Sequence, residues 1–222
     1  MRFNLSQNDP YTKQAKAEGY PARSIYKLKE IDETFKLLKK GQRVLDLGCA
    51  PGSWLMYIAQ RVGEQGKVIG IDTNQIKIVL PKNCFFKQES IFDFGTTYDD
   101  RHMLSQKKFN VVVSDVAPKT TGMKEKDAGE SLALCQRAFE IAENVLLENG
   151  AFVCKIFESQ ESNDFLKEIK NSFKAVKRYK PKASLKHSKE FFIVATGFSG
   201  TGSGTGADPV PLGTGSAPVP VN

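Results

Sequence analysis

A glycine-containing turn follows the first short apolar segment and is the first place where chemistry could occur. The turn runs from Asp46 to Trp54 with the sequence DLGCAPGSW, and it opens a predicted helix. Gly48 and Gly52 permit positive φ and a close approach of a ligand to the backbone, and the helix start points free N–H groups toward that ligand. A nucleotide phosphate site would look similar, but the spacings GxGxxG and GxxxxGK[ST] are absent.

Two carboxylates and a lysine fall at or near the ends of other apolar segments. Asp72 ends KVIGID, Asp115 ends FNVVVSD, and Lys155 interrupts AFVCKIF. Asp72 is placed to accept hydrogen bonds from ribose hydroxyls, or alternatively to cap a following helix. A lysine within an apolar strand is rare without a partner or a task, although one at a strand end can also extend to solvent.

These segments alternate with helical patterns, which predicts a doubly wound sheet covered on both faces. The predicted strands are RVLDL (43–47), KVIGID (67–72), NCFFKQ (83–88), FNVVVSD (109–115), AFVCKIF (151–157), and a final antiparallel pair, AVKRYK and EFFIVATGF. The first two predicted helices are 22–38 and the one that runs from the glycine turn to about Arg61. The other two are 128–150, with Gly150 as C-cap, and 162–173, with Ser162 or Asn163 as N-cap. Ligands of such sheets bind at the carboxyl ends of the strands.

Composition and charge limit the classes of protein that the chain can be. The 222 residues suit one α/β domain, and the formal net charge is +7. Residues 167–189 carry nine Lys or Arg and one acid, which suits a polyanion partner or simply a solvated surface. The four cysteines form no CxxC pair and no zinc-type cluster, so we expect buried free thiols and no metal.

The chain divides into three predicted parts. Residues 1–40 form a basic segment and helix packed on the fold, and residues 41–198 form the catalytic domain. Residues 199–222 read as a flexible Gly/Ser/Pro-rich tail, either a linker or a cloning remnant. No apolar run is long enough to span a bilayer and no signal peptide is present, so we expect a cytoplasmic protein without a membrane partner, and a monomer.

Five motifs in order resemble the FtsJ/RrmJ family of RNA ribose 2′-O-methyltransferases. The segment DPYTKQAKAEGYPARSIYKLKEID is similar to the family's N-terminal segment, and DLGCAPGSW to its DLGAAPGGW. SDVAPKTTG is similar to SDMAPNxSG, VCKIF to VVKVF, and KPKASLKHSKEFFIVATGF to KPxxSRxxSxExYxVAxGF. The resemblance covers nearly all of 9–198. It implies a class I methyltransferase (Rossmann-like) α/β fold: a mostly parallel, seven-stranded sheet with one antiparallel strand and S-adenosylmethionine as cofactor.

The resemblance also assigns a catalytic set of Lys27, Asp115, Lys155 and Glu190. A neutral ribose hydroxyl is a poor nucleophile, so a base must take its proton as the methyl group moves. A lysine can serve if its pKa falls well below about 10.4, which burial and a second ammonium both promote. We expect Lys155 to be the base, Lys27 the second charge, and the two carboxylates the groups that orient the lysines.

The cofactor contacts implied by the resemblance lie mainly in the glycine turn. The implied contacts are Asp46, Gly48, Gly52, Trp54 near the amino-acid end of the cofactor, Asp72, Ser90 and Asp115. FKQESIFD departs from the family pattern QGDI or QGDF. Where the family has an aspartate that contacts the adenine, this chain has Ser90, or Glu89 if the alignment is shifted by one residue. Asp93 is a third candidate for the same contact. Ser53 replaces the second glycine of the family motif.

The predicted substrate is RNA, because the family modifies a 2′-hydroxyl, which DNA lacks. Large-subunit ribosomal RNA is preferred, since no extra RNA-binding domain is visible. The alternative substrates are a tRNA, an mRNA cap, or a small molecule or protein methylated by an enzyme on the same scaffold. A non-catalytic RNA-binding assembly factor with the same fold is a further alternative. The expected RNA contacts are Lys13, Lys16, Arg23, Lys180, Lys182, Lys186 and Lys189, with the polar loop 116–127 closing over the target nucleotide.

Overall fold

The computed structural model describes residues 9–95, 109–185 and 188–200 of the chain. Its helices are α1 (Pro10–Ala17), α2 (Ile25–Phe35), α3 (Ser53–Val62), α4 (Lys124–Val145) and α5 (Gln160–Ile169). Its strands are β1 (Arg43–Leu47), β2 (Lys67–Asp72), β3 (Cys84–Gln88), β4 (Phe109–Ser114), β5 (Leu146–Phe157), β6 (Phe173–Tyr179) and β7 (Glu190–Phe198). The predicted tail, from residue 201 onward, lies outside the described residues.

The strands form one sheet in the order β3-β2-β1-β4-β5-β7-β6. Neighbours from β3 to β5 are parallel, whereas β7 runs antiparallel to both β5 and β6. This confirms the predicted doubly wound sheet with one antiparallel strand. The order reverses direction at β1, so the carboxyl ends of β1 and β4 border the crevice where ligands of such folds bind.

Each face of the sheet is covered by its own apolar cluster. Residues of α2 and α3, such as Leu28 and Ile58, pack on one face, and residues of α4 and α5, such as Phe139 and Phe165, pack on the other. The central strands are apolar on both faces because both are buried, which explains why β1, β2 and β4 were predictable from short apolar runs. All four cysteines are buried and free, as predicted.

The predicted helix 128–150 was wrong at both ends. Helix α4 begins at Lys124 and ends at Val145, where Leu146 takes an extended conformation and starts β5. Gly150 is therefore no helix cap. The left-handed turn falls on Asn149 at φ 61°, while a Cβ on Gly150 would lie 2.8 Å from the Leu147 carbonyl oxygen.

None of the helices in the described ranges is long and apolar enough to cross a membrane.

Two further boundaries differ from the sequence prediction. The N-cap of α5 is Ser159 rather than Ser162 or Asn163, and its hydroxyl forms a capping box with Ser162. Helix α5 ends at Ile169, so Phe173 belongs to β6 instead of the helix. Helix α2 is shorter than the predicted 22–38, because Lys36 takes a left-handed φ of 56° and ends it.

A fully buried carboxylate fixes the end of α2 against α3. Asp32 accepts hydrogen bonds from the Leu38 backbone N–H at 2.8 Å, from the Tyr57 hydroxyl at 2.9 Å and from Arg61 Nε at 2.9 Å. A buried carboxylate is tolerated only when it is paired and hydrogen-bonded. Since Lys27 lies on the same helix, this contact also fixes the position of one predicted catalytic residue.

Replacing Asp32 tests this anchor. We expect Asp32→Ala to lower the free energy of unfolding by about 3 kcal/mol, because three donors lose their acceptor, two of them within the buried interface. Urea denaturation followed by circular dichroism measures the change. Glu33→Ala, at the exposed neighbouring position, is the control and should change stability by less than about 0.5 kcal/mol; equal effects of the two variants would contradict the anchor.

Candidate active site

A cleft of about 530 Å³ lies at the carboxyl ends of the central strands. It is bordered by the glycine turn after β1, the end of β2, the segment after β3, the loop after β4 and one face of α4. The predicted site residues that line it are Gly48, Asp72, Glu89 and Asp115. The structure thus gathers residues from four separate strand ends into one cavity, as the sequence analysis expected.

The glycine turn depends on the absence of a side chain at Gly48. Its φ is 76°, and a Cβ there would lie 2.4 Å from Val116 Cγ2 and 2.9 Å from the Val116 backbone nitrogen. The Gly48 N–H donates to the Ile71 carbonyl oxygen at 2.7 Å. Any larger residue would therefore push the turn away from the loop after β4, and the two would no longer form adjacent walls of the cleft.

Asp72 fastens the glycine turn to the end of β2. Its Oδ2 accepts the Ala50 N–H at 2.9 Å, and its Oδ1 accepts the backbone and side-chain N–H groups of Asn74 at 2.7 and 3.0 Å. Residues 73–83 form no helix, so the alternative in which Asp72 caps a helix was wrong. The carboxylate lines the cleft and keeps unused lone pairs for a ligand.

Of the three candidates after β3, Glu89 is the one that reaches the cleft. Its N–H donates to the Asp72 carbonyl oxygen at 2.9 Å, and its carboxylate lies 3.0 Å from Lys87 Nζ. Ser90 instead turns its hydroxyl to the Phe92 N–H at 3.2 Å, and neither Ser90 nor Asp93 lines the cavity. The structure therefore favours the one-residue slip to Glu89.

Asp46 is a buried carboxylate whose two oxygens have no hydrogen-bond partner among the described residues. It is fully buried, and burial, followed by the nearby Asp115 and Asp72 carboxylates, raises its pKa well above the usual value. The raised pKa favours the neutral carboxyl, and Asp46 is not among the residues that line the cleft. Within the described ranges, no set of three or more His, Cys, Asp or Glu side chains could hold a metal ion.

Trp54 and Gly52 do not line the cleft. Trp54 is 3% exposed, and its Nε1 donates to the Ser24 carbonyl oxygen at 2.9 Å. Gly52 has φ 109°, and a Cβ there would lie 2.6 Å from Ile78 Cδ1. Both residues shape the turn from behind, by packing it against the segment before α2 and against residues after β2.

Lys155 and Asp115 form a buried ion pair at the edge of the cleft. Lys155 Nζ donates to Asp115 Oδ1 at 2.7 Å and to the Asp115 carbonyl oxygen at 2.8 Å. The lysine side chain is 8% exposed and the aspartate side chain 16% exposed. Lys155 lies near the end of β5, and Asp115 comes directly after β4. Because β4 and β5 are parallel neighbours in the sheet, their pairing brings the two residues together.

Lys27 and Glu190 form a second ion pair beside the first. Lys27 comes from α2, whereas Glu190 begins β7 and pairs in register with Phe157, two residues after Lys155. Burial acts to raise the pKa of Glu190, but the ammonium groups of Lys27 and Lys155 outweigh it and hold that pKa below its ordinary value. All four predicted catalytic residues therefore lie in one electrostatic cluster.

Two serines support this cluster and were not predicted as site residues. Ser184 donates its hydroxyl to Glu190 Oε1 at 3.0 Å, the oxygen that also meets Lys27. Ser53 accepts the Ala22 N–H at 2.8 Å and donates to the Ala22 carbonyl oxygen at 3.1 Å, which ties the start of α3 to the segment before α2. The serines of KPKASLKHS gave a signal for Ser184 in the family pattern, whereas Ser53 stands out in the sequence only as a departure from that pattern.

The predicted RNA-contacting cations divide into free and engaged groups. Lys13 and Lys16 are exposed on α1, whereas Arg23 pairs with Asp9 at 2.8 Å and donates to the Ala183 carbonyl oxygen at 2.5 Å. Lys180 Nζ donates to the Ser188 carbonyl oxygen at 2.7 Å. The remaining predicted contacts are Lys182 and Lys189, which are described, and Lys186, which lies outside the described residues.

The sheet order, the reversed β7 and an acidic cleft after β1 define a methyltransferase of the Rossmann-like class. A family model confirms the class: the chain belongs to the FtsJ-like methyltransferase family, whose model matches residues 20–198. The resemblance found in the motifs is therefore confirmed, and the chain is a methyltransferase enzyme.

Named relatives agree with this assignment. The chain is 44% identical over 194 residues to the ribosomal RNA large subunit methyltransferase E of Nitratidesulfovibrio vulgaris, covering 87% of this chain and 96% of the relative. It is 45% identical over 192 residues to the protein of the same name from Oleidesulfovibrio alaskensis, covering 86% and 92%. Its fold is similar to a crystal structure from Plasmodium falciparum, named a candidate ribosomal RNA methyltransferase. The TM-score is 0.72 and the identity 29%, covering 82% and 100%.

The lowered pKa of Glu190 predicts how its ion pair responds to acid. Because the carboxylate is easier to ionise in the folded than in the unfolded chain, it stabilises the fold above the ordinary glutamate pKa, and this contribution is lost as the pH falls through the folded pKa. We expect Glu190→Gln to lower the free energy of unfolding by about 3 kcal/mol at pH 7, and the difference from wild type to shrink below about pH 4.3.

Denaturant unfolding at a series of pH values measures this difference. Glu64→Gln, at an exposed carboxylate distant from the cluster, is the control and should behave as wild type at every pH. A Glu190→Gln effect that stays constant, or grows, as the pH falls would contradict the assignment of the ion pair.

Proposed function

We propose that this enzyme transfers a methyl group from S-adenosylmethionine to a ribose 2′-hydroxyl of large-subunit ribosomal RNA. The observation that carries the proposal is the buried Lys155–Asp115 pair at the edge of the acidic cleft. A buried lysine beside a cofactor cleft suits the removal of a proton from a hydroxyl. Methyl transfer to a nitrogen that already carries a free lone pair would not require that group in the attacking step.

The acidic residues of the cleft fit the proposed cofactor. S-adenosylmethionine supplies an activated methyl group on a positively charged sulfur, and it carries an ammonium group and a ribose diol. The Asp72 and Asp115 carboxylates, which line the cleft, fit the positive charges. Asp72 and Glu89, at the ends of adjacent strands, fit the ribose and the nearby adenine. Gly48 lets the turn lie against Val116, so that the two form one wall of the cleft.

The contacts of Lys155 also fit the role of a base. A neutral amine retains two hydrogens and one lone pair, and Asp115 offers two acceptors for those two hydrogens, its Oδ1 and its carbonyl oxygen. Neutral Lys155 held in this way would direct its lone pair to a hydroxyl proton. When the proton is taken up, the Asp115 carboxylate stabilises the ammonium that forms.

The Lys27–Glu190 pair would then act on charge and position. Lys27 places a positive charge beside the Lys155–Asp115 pair, and Glu190 balances part of that charge through its own ion pair with Lys27. Ser184 holds Glu190 in place through Oε1. The pair lies on the side of Lys155 that faces α2 and β7, where it would orient the substrate ribose.

The choice of RNA rests on the relatives and on the basic surface. Relatives that cover most of both chains are named large-subunit ribosomal RNA methyltransferases. Exposed cations on α1 and around β6 and β7 suit a phosphate backbone. Incubation of the enzyme with radiolabelled S-adenosylmethionine and large ribosomal subunits that lack the modification tests the proposal. We expect label in the ribosomal RNA at a ribose that resists alkaline hydrolysis; label on bases or on protein would refute it.

Lys155→Met should separate binding from chemistry. The variant keeps an apolar chain of similar length but has no group to accept a proton, so we expect kcat to fall by about a hundredfold or more. The Kd for S-adenosylmethionine, measured by calorimetry, should stay within a few-fold of wild type. Lys177→Met, at an exposed position of β6, is the control; retained turnover in Lys155→Met would exclude Lys155 as the base.

Glu89 and Ser90 can be distinguished by their effect on cofactor affinity. Because Glu89 lines the cleft and Ser90 does not, Glu89→Ala should weaken binding of S-adenosylmethionine by about tenfold, the effect of losing one hydrogen bond to a charged group. Ser90→Ala is the matched control and should change the Kd by less than about threefold. The reverse order of effects would restore Ser90 as the contact.

A further inference from the structure

A second cleft of about 250 Å³ lies next to Glu190 and separate from the cofactor cleft. Its walls are the loop after β4, the first turn of α4, the end of β5 and the start of β7. The residues that line it are Thr120, Lys124, Asp127, Ala128, Phe157, Glu158, Ser188 and Lys189. The loop 116–123 and helix α4 also contribute to the cofactor cleft, so they form a wall common to both cavities.

This second cleft is directly connected to the catalytic cluster. Phe157 pairs in register with Glu190 and follows Lys155 by two residues on β5. The Glu158 N–H donates to the Lys189 carbonyl oxygen at 3.0 Å, which holds the end of β5 against the start of β7. A ligand in this cleft therefore lies beside the groups that meet the substrate ribose, and away from the cofactor.

The cleft holds two lysines and two carboxylates, and the carboxylates are already hydrogen-bonded to other groups. Asp127 accepts from the Thr121 N–H, the Thr121 hydroxyl and the Gly122 N–H at 2.7, 2.8 and 3.1 Å. Glu158 lies 2.5 Å from Arg178. Both carboxylates thus have partners, whereas Lys124 and Lys189 make no ion pair within the described residues. Two free ammonium groups in a cleft favour an anion.

The remaining wall is aromatic. Phe157 is half-buried and turns part of its ring to the cleft, beside the hydroxyl-bearing Thr120 and Ser188. A partly exposed aromatic ring beside lysines suits an unpaired nucleotide, because a base packs on the ring and a phosphate pairs with the ammonium groups. A base within a duplex would not be free to make that contact.

We propose that this cleft binds an unpaired nucleotide adjacent to the target ribose, with its phosphate on Lys124 and Lys189 and its base against Phe157. The inference rests on the proposed function, because it takes RNA as the substrate. It assigns to Asp127 a positioning role, since Asp127 fixes the Thr121–Gly122 part of the wall shared with the cofactor cleft.

The double variant Lys124→Ala/Lys189→Ala tests the phosphate contact. Methyl transfer to large ribosomal subunits should show a KM for RNA raised about tenfold, with kcat and the Kd for S-adenosylmethionine within twofold of wild type. The plot of log(kcat/KM) against log[salt] should become shallower by about 0.7 for each phosphate that the variant no longer neutralises. The Lys189 backbone carbonyl, which accepts from Glu158, remains in the variant.

The chain offers matched controls at the opposite edge of the sheet. Lys67→Ala/Lys82→Ala removes the same charge from exposed lysines beside a different cavity, and Phe85→Leu matches Phe157→Leu at an exposed ring of that cavity. We expect both controls to behave as wild type, and Phe157→Leu to raise the KM without altering the salt dependence.

The outcomes separate this inference from the proposed function. If the wild-type enzyme labels no RNA, the proposed function fails. If the wild type labels RNA but the Lys124/Lys189 variant matches the Lys67/Lys82 control in KM and salt dependence, the second cleft is not an RNA site. A fall in kcat alone would likewise overturn the inference, because it would mean that the lysines act on the catalytic cluster instead of on the RNA.

Discussion

A lysine ammonium buried near the end of a central strand must be paired, and the structure around the site follows from this constraint. Lys155 meets that need through two oxygens of Asp115, one from the side chain and one from the backbone. The pair requires β4 and β5 to be adjacent and parallel, with Ser114 opposite Cys154, so that Asp115 and Lys155 are the next residues on the two neighbouring segments. An uncompensated charge at that depth would cost several kcal/mol, so the strand register and the charge pair depend on each other.

The second pair extends this constraint to the N-terminal helix. Lys27 reaches Glu190 only because α2 is held on the sheet, and two acidic residues in the second half of α2 hold it there. Asp32 joins its C-terminus to α3, while Glu30 accepts from the Tyr179 hydroxyl at 2.8 Å and from the Lys182 N–H at 2.9 Å. The Glu30 contacts fasten the segment that leads to Ser184 and Glu190. A helix early in the chain thus orients the last strand of the sheet.

The elements that could be predicted from the sequence are those that depend on a local residue pattern, such as a short apolar run. β1, β2 and β4 are short apolar runs buried on both faces, and Lys155 was conspicuous because it interrupts such a run. The errors arose where a tertiary contact overrides a local signal. Gly150 resembled a helix cap, yet the bulged pairing of β4 with β5 draws residues 146–150 into the sheet.

The candidate site shows the same division. The family motifs identified the four charged residues and the glycine turn, but motifs do not specify which side of a turn faces the ligand. Trp54 and Gly52 belong to the turn by sequence and pack behind it in space. Glu89 and Ser90 are neighbours in the segment after β3, where Glu89 lines the cleft and Ser90 turns its hydroxyl to the Phe92 N–H. Only the three-dimensional path of the chain distinguishes them.

The two clefts differ in their charged side chains, because the cofactor cleft is lined by carboxylates, whereas the second cleft also holds Lys124 and Lys189. Carboxylates in the cofactor cleft attract a cation and repel phosphate, whereas the free lysines of the second cleft attract phosphate. The loop 116–123, fixed by Asp127, separates them. Lys155 and Asp115 lie between the cofactor cleft and the second cleft. A cationic methyl donor in the first cleft and an anionic RNA strand in the second would therefore approach Lys155 from different sides, without competing for one surface.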